Sequence, residues 1–247
     1  RRQRQMCIRD RYSFVSNFMI AIRPQIIKNH ASGNFQAMHI QIIKSGKFGF
    51  FIMLLILLPL CGNIDYVLGL WLVDVPAHTA NFVVLVLLYS LLDGILTPIA
   101  IGVFAQGEIK AYEIALCIIY AVNFIASYVC LKLGMAPETV FVLNIAFKAC
   151  VLADLLVHSK AKYAFPVHAF LKQCLLPSAV VFVLSGAFTY FMPWEAPNSF
   201  WEFLLHTLAI IICTSLMALA IGMTKGERLF LKKNLRDKIT VKLYRKI

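Results

Sequence analysis

The sequence has few charged residues and none of the short motifs that mark the common soluble enzymes. Charged residues make up 15% of the 247 residues, against about 25% in a typical soluble domain. The sequence contains no Walker A loop, no dinucleotide-binding glycine pattern, no His-Glu-x-x-His motif and no nucleophile elbow. The usual signatures of ATP hydrolysis, dinucleotide binding, zinc proteolysis and serine hydrolysis are therefore missing, and we expect that the protein is not an enzyme.

The seven cysteines lack the spacing of a disulfide framework or a metal site. No Cys-x-x-Cys pair occurs, and most cysteines lie in apolar runs, where a free cysteine usually packs as a small hydrophobic residue. The six histidines are scattered over loops and helix ends. We therefore expect neither a metal ion nor another cofactor.

The sequence is rich in apolar residues. Hydrophobic residues make up 60% of the chain and the mean hydropathy is +0.77, which indicates an integral membrane protein. The net charge of +12 would suggest a nucleic-acid partner in a soluble protein. Here the basic residues lie in predicted loops and in the tail 225–247, so we expect anionic membrane lipids at that tail and no nucleic acid.

The apolar runs predict an all-α, polytopic membrane helix bundle with about seven spans, of which the first is partial. That first segment, Tyr12–His30, is broken by Arg23 and Pro24. A short interfacial helix is expected at Asp65–Val73, where Tyr and Trp suit the headgroup region. The other six spans are expected at about Ile42–Cys61, Asn81–Lys110, Ala111–Leu133, Pro137–His158, Pro166–Met192 and Ser199–Met223.

Residues 1–11 differ from the rest of the chain. They hold five arginines and no apolar run, and they resemble translated sequencing-adapter DNA at the edge of an assembled fragment. We expect this segment to be non-native or disordered, and the chain to be a piece of a longer protein. The interpretation divides the chain into this tail, membrane helices at 12–158, two additional helices at 159–224 and a basic tail at 225–247.

The distribution of basic residues predicts the orientation in the membrane. Lysines and arginines gather in the linker Pro24–Lys47, in the loops Gln106–Ala111 and His158–Lys172, and in the C-terminal tail, whereas the opposite side has only Lys132. Because basic loops stay in the cytoplasm, we expect all four segments there.

Three polar residues lie near the centres of their predicted spans. Asp93, Asn123 and Lys148 lie at similar depth, and Asn144 lies one turn before Lys148 on the same helix face. A charge at mid-bilayer costs about 2.5–3.5 kcal/mol on insertion scales, so these side chains should face protein or water. Such a set fits a polar translocation path between helices. It fits equally a buried ion pair with a neighbouring amide that serves packing alone.

A succession of short runs on this topology resembles the second half of polysaccharide exporters and lipid-linked oligosaccharide flippases. These proteins form part of the MOP (MATE-like) superfamily, and the resemblance is to its lipopolysaccharide-biosynthesis branch. The similarity extends over about residues 14–230. The runs are RPQI at 23–26, ASGN at 31–34, LWL at 70–72, VP at 75–76, TP at 97–98, AQGEIK at 105–110, LKLG at 131–134 and PE at 137–138.

The resemblance implies two six-helix lobes around a cavity that opens alternately to either side of the bacterial inner membrane. This chain would be the second lobe with two extra helices, and its missing first lobe would be a partner. The implied substrate is an undecaprenyl-diphosphate-linked O-antigen or capsule oligosaccharide.

From depth and chemistry, Lys148 and Arg23 would meet the diphosphate, Asn123 and Asn144 would bind sugar hydroxyls, and Asp93 would pair with Lys148 or carry a proton. A multidrug exporter of the same superfamily and a seven-helix receptor are the alternatives. A membrane-embedded glycosyl or acyl transferase is a further one, although the loops offer no tight cluster of acids and histidines for it.

Overall fold

The protein is all-helical over the part of the chain that the structure describes. A computed structural model describes residues 13–72, 74–191, 197, 199–224 and 226–228. The predicted tail 1–11 and most of the tail 225–247 lie outside these residues. The helices are α1 Ser13–Ala31, α2 Phe35–Gly62, α3 Ile64–Trp71, α4 Thr79–Phe104, α5 Lys110–Lys132, α6 Thr139–Tyr163, α7 Val167–Phe191 and α8 Phe200–Gly222.

Six of these helices, α2 and α4 to α8, are long and apolar enough to cross a membrane. They correspond to the six full spans expected from the sequence, and α1 corresponds to the partial first span. The short α3 covers most of the predicted interfacial helix. The expected all-α class is confirmed, and the six apolar helices indicate a multi-pass membrane protein.

The non-helical connection between α1 and α2 is much shorter than the linker predicted at Pro24–Lys47. Helix α1 continues through Pro24 to Ala31, and α2 begins at Phe35, so the connection is only the three residues 32–34. Gly33 makes the turn with φ +71°, and Asn34 Oδ1 accepts a hydrogen bond of 3.1 Å from the backbone N–H at the start of α2. The basic residues that suggested a loop lie on helices, where the N-cap and not the charge decides the boundary.

The end predicted for the span Pro137–His158 is also wrong, because α6 continues past His158 to Tyr163. Lys160 and Lys162 lie in its last turn, where the negative end of the helix dipole stabilises cations. Ala164 then ends the helix in the left-handed region, with φ +51°. The predicted end lies just before the lysines at 160 and 162, whereas in the structure these lysines form part of the last helical turn.

Helix α2 is the centre of the bundle. In its most apolar 18-residue stretch, 61% of the residues are buried, against 33% or less in the other spans. Helix α2 packs against α1, α4, α7 and α8. Its approach to α4 is close, since a Cβ added to Gly94 would lie 2.9 Å from the carbonyl carbon of Gly49. Small residues permit such backbone contact between membrane helices. Helix α6 packs against α4 and α5 on the other side of α4.

The bundle is packed tightly along one half of α4 and α6 only. The two helices run in the same direction, because contacts join them near their first, middle and last turns. In α4 every buried residue lies at or after Leu91. In α6 every buried residue lies at or after Lys148. We call the part from this level to the C-terminal ends of α4 and α6 the tight half, and the opposite part the loose half.

Candidate functional site: a polar layer between three helices

An ion pair joins α4 to α6 at the boundary between the tight and loose halves. Lys148 Nζ on α6 donates a hydrogen bond to Asp93 Oδ1 on α4. The lysine side chain is 8% exposed and the aspartate side chain 33% exposed. Lys148 Nζ also lies 4.1 Å from the centroid of the Tyr89 ring, one turn before Asp93. A cation over an aromatic face is stabilised by the ring quadrupole, so this lysine has two partners on α4.

Two amides extend the polar contacts from α6 to α5. Asn123 Nδ2 on α5 donates a hydrogen bond of 2.5 Å to Asn144 Oδ1 on α6. Asn123 is 7% exposed, and its own Oδ1 is buried without a hydrogen-bond partner among the described residues. A buried amide oxygen without a partner is costly, and it leaves an acceptor available to a donor that enters the site.

Three neighbouring helices thus contribute two polar residues each, three or four positions apart. Tyr120 on α5 lies near enough to Tyr89, Asp93 and Lys148 for electrostatic interaction. Spacing of three or four residues places both members of each pair on one helix face. We call this set the polar layer: Tyr89 and Asp93 on α4, Tyr120 and Asn123 on α5, and Asn144 and Lys148 on α6.

The structure brings four of the five predicted site residues into this layer. The fifth, Arg23, is exposed on α1 and forms no hydrogen bond or ion pair with another described residue. Tyr89 and Tyr120 belong to the layer but were not among the predicted residues. A tyrosine in an apolar run is common, and only its position one turn from Asp93 or Asn123 distinguishes these two.

Two further polar contacts lie beyond the polar layer, one near each end of α6. At the loose end, Glu138 Oε1 contacts His78 Nδ1 and accepts a hydrogen bond of 3.2 Å from Asn81 Nδ2. At the tight end, Lys162 donates a hydrogen bond to Glu108. The backbone N–H of Glu138 itself and the Asn81 amide lower the pKa of Glu138, and the Lys162 hydrogen bond lowers the pKa of Glu108.

Within the described residues, no group of three or more His, Cys, Asp or Glu side chains could hold a metal ion. The polar layer therefore offers one acid, one base, two amides and two phenols. This chemistry can bind hydroxyl groups, an anion that displaces Asp93 from Lys148, or a cation beside Asp93 and the tyrosines.

The fold and the polar layer together define a class: a multi-pass helical membrane protein with a charged pair held between its spans. Comparison of the chain with protein-family models, with curated proteins and with solved structures finds no match.

Proposed function

We propose that the chain is part of a membrane transport protein that moves an undecaprenyl-diphosphate-linked O-antigen or capsule oligosaccharide across the bacterial inner membrane. The observation that carries this proposal is the polar layer, in which three apolar spans turn a lysine, an aspartate and two amides toward one another. The short runs that resemble MATE-like flippases support it. In this proposal the protein is a transporter and not an enzyme, the basic tail lies in the cytoplasm against anionic lipids, and a first lobe completes the cavity.

The chemistry of the polar layer suits such a substrate. A diphosphate and a chain of sugars lose their hydration in hydrocarbon, which costs several kcal/mol for each unpaired polar group. Lys148 supplies a cation, and the free Asn123 Oδ1 supplies an acceptor for a sugar hydroxyl. Because Lys148 is covered by Asp93 and Tyr89, the phosphate must displace Asp93, which is the more exposed member of the pair.

Binding of undecaprenyl diphosphate to the purified chain in zwitterionic nanodiscs tests the proposal. Lys148→Met should weaken binding at least about tenfold, because tenfold corresponds to only 1.4 kcal/mol and a charge-assisted contact contributes more. Lys162→Met is the matched control, since it removes a lysine of the same helix outside the polar layer. Equal affinity of the folded Lys148→Met protein and the wild type would rule out the proposed site.

A multidrug exporter of the same superfamily is the second candidate, and one observation favours it. The carboxylate of Asp93 is 33% exposed, whereas Lys148 is 8% exposed, and two tyrosines lie beside the pair. A carboxylate with aromatic neighbours suits an organic cation. Ethidium binding that is abolished by Asp93→Asn and retained by Lys148→Met would favour this candidate over the flippase.

A further inference from the structure

A second buried lysine has a partner from the far end of the described chain. Lys47 lies near the middle of α2 and is 1% exposed, although its sequence context predicted a cytoplasmic linker. Its Nζ lies 2.6 Å from Oε2 of Glu227, which is 9% exposed and comes after α8. No step of the proposed transport uses this pair.

Glu227 belongs to a corner that ends α8 and starts the tail. The backbone N–H of Thr224 donates a hydrogen bond of 2.8 Å to Glu227 Oε2, and Glu227 N–H donates one of 3.5 Å to Thr224 Oγ1. This is the reciprocal arrangement of a capping box. Arg228 Nη2 donates to the carbonyl of Ala220 at 2.5 Å, and Arg228 Nε donates to that of Met223 at 3.1 Å. We call Thr224, Glu227 and Arg228 the corner.

The two π-helical turns of the described bundle lie beside the same part of α2. The first, Leu171–Leu175 in α7, contains Cys174, whose Sγ would lie 3.5 Å from a Cβ on Gly46. The second, Ala218–Gly222, ends α8, and a Cβ on its Gly222 would lie 2.3 Å from Cζ of Phe51. Lys47 thus lies between the two contacts. A π-helical turn holds an extra residue, and such turns are frequent at functional sites.

The Lys47–Glu227 ion pair favours the position in which the corner lies against α2. Burial alone would raise the pKa of Glu227, but the hydrogen bonds from Lys47 and from the Thr224 N–H outweigh burial and lower that pKa. Glu227 is therefore charged at neutral pH, and the buried Lys47 ammonium is neutralised only while the corner lies against α2. A buried cation without a partner is strongly unfavourable, so departure of the corner must accompany a change in the packing around Lys47.

We propose that the Lys47–Glu227 pair is a latch that couples the start of the C-terminal tail to the packing of α7 and α8 on α2. In the closed state the corner covers Lys47, and both π-helical turns pack beside it. When Glu227 leaves, α7 shifts at Leu171–Leu175 and α8 shifts at Ala218–Gly222. Water then reaches Lys47 and Cys174, and the corner separates from α2. The latch does not depend on the identity of the transported substrate.

Cys174 is a native reporter of this latch, because it is fully buried against Gly46. The experiment uses the full chain in detergent with Cys174 as its only cysteine, and measures maleimide labelling together with tryptic cleavage after Arg228. Lys47→Met removes the buried cation without leaving an unpaired charge inside the bundle, and it frees Glu227 to enter water. We expect both rates to rise at least about tenfold, since loss of a buried charge pair shifts the opening equilibrium by more than that.

The double variant Lys47→Met with Glu227→Met distinguishes a latch from simple loss of packing. Two apolar side chains can replace a buried ion pair with little loss, so the double variant should return both rates to within about threefold of the wild type. Lys162→Met, which removes a lysine from an exposed ion pair, should change neither rate. A folded Lys47→Met protein with wild-type labelling and cleavage would overturn the latch, as would a double variant that stays as open as the single one.

Discussion

The two buried lysines among the described residues are paired in opposite ways. Lys148 contacts a carboxylate that is one-third exposed and an aromatic ring, both on an adjacent span. Lys47 is 1% exposed and contacts a carboxylate that comes 180 residues later in the chain. A ligand could therefore replace Asp93 at Lys148, whereas the Lys47–Glu227 pair is covered by the chain itself. Burial of a lysine alone therefore does not identify a binding site, and the exposure of its partner separates the two cases.

The pair with the enclosed lysine should be the more sensitive to loss of its acid. Glu227→Gln leaves Lys47 charged and buried, and we expect the free energy of unfolding to fall by about 3–5 kcal/mol. Chemical denaturation of the purified protein in mixed micelles measures this change. A loss below about 1 kcal/mol would mean that water already reaches Lys47, and the contrast between the two lysines would disappear.

The corresponding substitution at the polar layer should cost less. In the Asp93→Asn variant, Lys148 still contacts the Tyr89 ring, and water can reach it through the opening that exposes Asp93 in the wild type. We therefore expect the free energy of unfolding to fall by about 2 kcal/mol, which is typical of a hydrogen bond to a charged group. The same denaturation assay compares it with Glu227→Gln. If Asp93→Asn proved the more destabilising of the two, the Lys148–Asp93 pair would be the one that water reaches less easily, and our comparison of the two lysines would be reversed.

The polar layer was largely predictable from the sequence, because depth in an apolar span is a strong constraint. Asp93, Asn123 and Lys148 lie near the centres of helices whose ends are defined by hydropathy, and Asn144 follows from helical spacing. Tyr89 was not predictable in this way, since an aromatic residue in an apolar run gives no signal of its own. Whether Asp93 and Lys148 pair depends on helix rotation, which only tertiary packing decides.

The sequence does not identify Lys47 as a buried residue, because its surroundings are typical of a loop. The neighbouring run from Lys44 to Lys47 contains a glycine and two lysines, which is typical of a linker, yet α2 passes straight through it. A local signal for its partner did exist, since Thr224-x-x-Glu227 has the spacing of a capping box. No rule of local sequence joins two residues 180 positions apart, so the ion pair itself required the fold.

The glycines beside the two lysine pairs offer a further test of the comparison. A Cβ on Gly94, next to Asp93, would lie 2.9 Å from backbone carbon of α2, whereas a Cβ on Gly46, next to Lys47, meets nothing closer than 3.5 Å. Gly94→Ala should therefore force α2 and α4 apart and cost about 1–3 kcal/mol. Gly46→Ala should be neutral or stabilising by up to about 1 kcal/mol, because alanine is the better helix former.

Thermal denaturation of both alanine variants, with Gly186→Ala as a control, checks this difference. Gly186 also lies within a helix, and a Cβ there meets no atom within 4 Å. Equal midpoints for Gly94→Ala and Gly46→Ala would show that the α2–α4 contact is looser than its geometry indicates.

The smallest expected effect concerns the polar contact at the loose end, where His78 and Asn81 contact Glu138. The backbone N–H of Glu138 and the Asn81 amide lower the pKa of this carboxyl, so folding is favoured when it is ionised. The contribution is fully present above the ordinary glutamate pKa and is lost as the pH falls through the lowered value. We expect the midpoint of thermal unfolding to fall slightly on acidification below that ordinary value, and Glu138→Gln to remove this part of the pH dependence.

Glu113→Gln is the matched control, because Glu113 is exposed on α5 and forms no ion pair with the described residues. An acid dependence that is identical in wild type and Glu138→Gln would mean that this contact adds nothing to folding. The N-terminal ends of α4 and α6 would then be held together without it, and the loose half would depend on apolar contacts such as that of Phe82 with Phe141, whose ring centroids lie 5.4 Å apart.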